Sequence, residues 1–64
     1  MKFKVGDKVK HRLGGDEMIV IEVNPKDIFP IGCRRYVIGK NGKEEYKTDF
    51  FKEEELESVK EGKR

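Results

Sequence analysis

Cysteine and histidine each occur once in these 64 residues, tryptophan is absent and proline occurs twice. A lone thiol, Cys33, can close no disulfide within the chain, which argues against a secreted disulfide scaffold and for a reducing cytoplasm. One histidine and one cysteine cannot supply the three or four ligands of a usual zinc site. No cofactor is expected. The longest apolar runs, Met18 to Ile21 and Ile28 to Ile31, fall far short of the ~20 residues that span a bilayer. The opening Met1-Lys2-Phe3-Lys4 leads straight into Gly6, Asp7 and Lys8 rather than an apolar stretch, so no signal peptide is expected.

What is abundant is charge, at 44% of residues against 34% hydrophobic, with a net charge of +2. A chain this short buries only about 60% of the surface its unfolded form exposes. Its apolar residues are nevertheless clustered and largely β-branched or aromatic, the composition of a folded β domain. Residues 1–40 hold nine Lys/Arg and five Asp/Glu, whereas residues 41–64 hold six and eight. The first half is therefore mildly basic and the second mildly acidic.

From Asp7 to Leu13 the chain alternates, with Val9, His11 and Leu13 on one side and Lys8, Lys10 and Arg12 on the other, the period of a half-buried strand. Gly14-Gly15-Asp16 supplies the positive φ that a tight antiparallel connection needs. Met18 to Val23 is apolar on both faces, which predicts a central strand that bends and feeds the core twice. Val5, Val9, Leu13, Met18 and Val20 are the expected core positions.

Asn24-Pro25-Lys26-Asp27 carries turn chemistry, and Pro30 makes Ile28 to Ile31 a loop packed on the sheet. Cys33 to Ile38 and Lys43 to Phe51 are expected as third and fourth strands around the Asn41-Gly42 hairpin signal. Asp49 is a candidate N-cap for an acidic 3₁₀ turn at Lys52 to Glu55. Leu56 and Val59 then form a short fifth strand or share one face of a short helix. The strand is the preferred reading because so few residues are left for a helix.

The fold class expected is all-β: a small, five-stranded, strongly bent SH3-like barrel with a 3₁₀ turn before the last strand. One domain covers residues 1–60, and residues 61–64 are expected as a disordered tail.

Val5-Gly6-Asp7-x-Val9, Gly14-Gly15-x-x-Met18-x-Val20, Cys33 with Tyr36, and Phe51-x4-Leu56 resemble the small, uncharacterised bacterial YodC-like proteins over most of the chain. Arg35 stands where that family has an aromatic Trp, and the connection from Asn24 to Gly32 is longer than in the family. A second similarity, over about ten residues that include Val5 to His11, is to Tudor-like and CarD-like modules. It implies a docking role towards protein or nucleic acid.

His11 alone has an ordinary pKa near neutrality, but its alternation with Val9 and Leu13 makes it a wall residue of the sheet. Cys33, Thr48 and Ser58 lie in no nucleophile motif, and no phosphate-cradling glycine loop occurs. The chain is therefore not expected to be an enzyme or to take a small-molecule substrate.

Two binding readings follow from the sequence. Lys8, Lys10, Arg12, Arg34 and Arg35, with Tyr36 as a stacking group, form a candidate nucleic-acid face. Ile28, Phe29, Pro30 and Ile31 form a candidate protein interface or self-association site if exposed, and a supplement to the core if buried. Protein–protein interaction or self-association is the first expectation and nucleic-acid binding the alternative.

Overall fold

Turn chemistry and alternation place the strands, and curvature of the sheet makes the core. The structure is a computed structural model describing residues 2–59. Five antiparallel strands form one sheet: β1 Lys8–His11, β2 Met18–Val23, β3 Ile31–Ile38, β4 Glu44–Phe51 and β5 Leu56–Ser58. A single 3₁₀ turn, Glu53–Glu55, precedes β5. The order across the sheet is β4-β3-β2-β1-β5, with β2 in the centre as expected. The expected tail at 61–64, and the first and last residues of the expected domain, lie outside the described residues.

Positive φ values at Gly14 (106°) and Gly15 (125°) turn the chain from β1 to β2. Between β3 and β4 the turn is a three-residue loop, Lys40-Asn41-Gly42, rather than the two-residue type that an Asn-Gly pair usually marks. Gly42 N–H donates to Gly39 O at 3.0 Å and Gly39 N–H to Lys43 O at 2.7 Å, and Gly42 takes the left-handed position at φ 82°. Asn41 Oδ1 accepts the Lys43 N–H.

The buried core comprises Phe3, Val9, Met18, Val20, Ile31, Cys33 and Leu56, with Val23 and Phe51 packed against it. Val5 and Leu13, expected inside, are 64% and 91% exposed. β1 stops at His11, whose carbonyl accepts the Gly14 N–H at 2.9 Å, so the chain turns before Leu13 can reach the inner face. Val5 likewise lies in a turn closed by Asp7 N–H on Lys4 O, and Phe3 fills the core position instead. In β2 a register shift between Val20 and Glu22 returns Val23 to the core. Ile19 opposes Arg34 on the other side, so the second apolar face of β2 is an outer surface rather than more core.

β3 begins two residues earlier than expected, at Ile31, and Pro30 and Ile31 are both buried. Pro30 O accepts the Asn24 N–H at 2.8 Å, which ties the loop back to the end of β2. Asp49 is not the N-cap of the 3₁₀ turn but lies inside β4. Lys52 takes that place; its N–H donates to the Glu55 carboxylate at 2.8 Å and its carbonyl accepts the Glu55 N–H at 3.0 Å.

The sheet is strongly bent. His11 on β1 and Phe51 on β4 meet edge to face with ring centroids 6.0 Å apart, although two strands lie between theirs in the sheet. In a flat sheet three strand spacings would separate them by about 14 Å. The 3₁₀ turn carries the chain from the β4 edge to the β5 edge, and Arg12 N–H donates to Glu55 O at 2.9 Å across that join. No ladder joins β4 to β5 among the described residues, so the sheet remains open. Pairing of β3 with β2 ends at Arg34, whereas pairing with β4 runs on to Ile38 and Glu44. Arg35–Ile38 and Glu44–Lys47 thus project as a two-stranded arm.

Candidate interaction face

Antiparallel register puts directly opposed residues on the same face. Lys8 opposes Ile19, Ile19 opposes Arg34, and Arg34 opposes Thr48. These four residues form one row across the outer face, away from the core. Beside it, Tyr36 opposes Tyr46, with ring centroids 5.5 Å apart and planes inclined at 60°.

Ile19, Ile21, Arg34, Tyr36, Tyr46 and Glu17 line an open groove of about 580 Å³ on this face. Arg34 is exposed and forms no ion pair among the described residues. The Tyr36 hydroxyl donates a hydrogen bond to Glu44, diagonal to it on β4, which raises the phenol pKa; desolvation and Tyr46 add to the shift.

A second apolar hollow lies further along, lined by Ile28, Phe29 and Phe50 with Lys26 and Asp27. Phe50 covers Gly32, where an added Cβ would stand 2.8 Å from the Phe50 ring. The missing side chain is what lets the ring lie flat on the strand. Lys52 Nζ sits 5.7 Å from the Phe29 centroid.

The expected basic face is divided. Lys8, Lys10, Arg34 and Tyr36 share the outer side, but Lys10 Nζ pairs with Glu57 at 3.7 Å on neighbouring β5. Arg12 lies in the turn after β1, its Nη1 donating to Glu54 O at 3.3 Å beside the acidic 3₁₀ turn. Arg35 points to the opposite side from Arg34, where Nε lies 3.7 Å from Asp49 Oδ2 and has no hydrogen-bond partner. The expected protein interface is divided too. Ile28 and Phe29 are exposed, whereas Pro30 and Ile31 are buried and available to no partner.

Ile19, Tyr46 and Phe50 were not among the candidate residues, and Thr48 was considered only as a nucleophile. The strand alternation was readable for each, but their face depends on the register. The Lys40-Asn41-Gly42 loop sets Tyr36 opposite Tyr46 and leads the rest of β4 past β3.

The nucleophile candidates are not brought together. His11 Nδ1 accepts the Leu13 N–H at 3.1 Å, a turn-closing role, while its ring packs on Phe51. Burial, with Asp49 adding, pushes the Cys33 thiol up to about 11, so its thiolate is scarce at neutral pH. Thr48 lies on the outer face opposite Arg34, and Ser58 is exposed on β5. Among the described residues no group of three or more His, Cys, Asp or Glu could hold a metal ion, and no helix is long and apolar enough to cross a membrane. Comparison with protein-family models, curated proteins and solved structures gives no match in any of the three.

Proposed function

We propose that this chain is a non-enzymatic, SH3-like docking module that holds an extended segment of a partner protein on the outer face of β2, β3 and β4. The SH3-like reading is supported by the contact of His11 with Phe51 and by the 3₁₀ turn that links the two sheet edges. A relation to the YodC-like proteins belongs to the same proposal and rests on the glycine and core positions given above.

The observation that carries the docking reading is Arg34, with no ion pair among the described residues, set between Ile19 and the Tyr36–Tyr46 pair in an open groove. A guanidinium in that position suits a carboxylate, which it binds through two parallel N–H donors. The rings and Ile19 beside it suit an apolar side chain, as in the centre of protein interfaces. The partner segment therefore carries Asp or Glu next to a large apolar residue.

Selection from a displayed random-peptide library tests this. Wild-type protein enriches acidic-apolar peptides, and Arg34→Glu and Tyr46→Ala each lose them while far-UV circular dichroism stays unchanged. Absence of enrichment, or enrichment that survives Arg34→Glu, overturns the reading.

Nucleic-acid binding is the second reading, favoured by Lys8, Lys10, Arg34 and Tyr36 sharing one face. It predicts that labelled single-stranded or duplex oligonucleotides bind at ~50 mM salt, where phosphate attraction is strong, and that Lys10→Glu with Arg34→Glu abolishes binding. No binding at that salt removes it.

A further inference from the structure

We infer that a second copy of this chain pairs with the open edge of β4, antiparallel and centred on Thr48, to join two five-stranded sheets into one of ten. This goes beyond the groove reading and does not depend on it, because it uses the strand's edge and not its outer face.

Backbone geometry shows which groups are on offer. The Gly39 N–H to Lys43 O bond makes that pair a hydrogen-bonded one. Strict alternation along the ladder then makes Glu45, Lys47, Asp49 and Phe51 the β4 residues bonded to β3. Glu44, Tyr46, Thr48 and Phe50 consequently aim their N–H and C=O groups at the open edge. β4 is eight residues long and forms the outermost strand of the sheet, a template for another strand.

The side chains select the register. A two-fold axis perpendicular to the sheet opposes residues of equal parity. Centred on Thr48, Lys47 of one copy meets Asp49 of the other, Glu44 meets Lys52, and Tyr46 meets Phe50, each twice by symmetry. Centred on Lys47, the same strands set lysine against lysine and Glu45 against Asp49. Centred on Asp49, two aspartates meet. A centre at Tyr46 keeps favourable charges but overlaps only Glu44 to Thr48 of each strand.

Inward-facing charges on an edge strand ordinarily block indiscriminate pairing. Here Lys47 and Asp49 share the inner face and block the competing registers while complementing each other in the Thr48-centred one. Pairing also places Tyr46 of one copy beside Phe50 of the other, which merges the two apolar hollows of the outer face.

Sedimentation equilibrium of the full chain, from ~5 µM to ~1 mM at low salt, tests the proposal. A single strand addition is a small interface, so a monomer–dimer equilibrium with Kd on the order of 10 to 100 µM is expected. Thr48→Pro deletes an outward N–H and leaves the β3 ladder intact, and it weakens the dimer at least tenfold. Glu44→Lys and Lys52→Glu each weaken it severalfold, and the double exchange restores wild-type affinity to within about twofold. Arg34→Glu leaves it unchanged, so this proposal and the peptide-docking reading fail separately. A monomer at ~1 mM, a dimer indifferent to Thr48→Pro, or a double exchange weaker than either single change overturns it.

Discussion

Raising the pH should destabilise this protein through one thiol. Cys33 is fully buried between Val20 and Asp49 on neighbouring strands. Desolvation first, and the Asp49 charge second, raise its pKa from 9.0 to about 11. Above pH 9 the unfolded chain has released this proton while the folded chain still holds it. The contribution to stability is therefore complete below pH 9 and is lost as the pH climbs through 11. Two pH units at 1.36 kcal/mol each give a loss of roughly 2 to 3 kcal/mol, against a total stability on the order of 5 kcal/mol for a domain of this size.

Other groups titrate over the same range, so the measurement is a difference between wild type and Cys33→Ala. The variant loses about 1 to 2 kcal/mol at every pH from the vacated volume, but it lacks the extra alkaline slope. Urea unfolding should be followed by far-UV circular dichroism at pH 8, 9.5 and 11, because ionisation of Tyr36 and Tyr46 would distort fluorescence and there is no tryptophan. The two stabilities should converge as the pH rises and meet or cross by pH 11. Parallel curves would refute the account of a desolvated thiol.

Gly15→Val forces a β-branched residue to φ 125° and should cost roughly 1 to 3 kcal/mol. Its melting temperature should fall by several degrees or more, and an unchanged value would contradict the turn. Phe3→Ala empties a fully covered core position and should cost about 3 to 5 kcal/mol, leaving most of the chain unfolded at 37 °C by circular dichroism. Leu13→Ser, at an exposed turn position, should stay within about 0.5 kcal/mol of wild type in the same urea titration; a loss of core size would place Leu13 inside.

Much of the fold could be read without coordinates because its causes are local. The bounds of β2, the positive φ at Gly14 and Gly15, the reversal near Asn41-Gly42 and the strand at Leu56 after a 3₁₀ turn all follow from nearby residues. Each depends on a backbone preference or a period of two that a few neighbours express. The alternation failed at Leu13 because a strand's end is fixed by its partners. β1 pairs only as far as His11, against Leu56, and the chain turns there.

The candidate site was less legible for the same reason. Parity in sequence already separated Arg34 from Arg35, but the direction in which the sheet bends decided which of them faces the core. Lys10 met Glu57, Arg35 met Asp49 and Tyr36 met Tyr46 only once strands distant in sequence came into register. Sequence alone therefore determined an all-β chain, its turns and most of its strands, through short-range sterics and periodicity. Curvature and register are properties of several strands together, so only the tertiary structure decided the core's membership, the division of the basic residues between two faces, and the exposure of β4 as an edge.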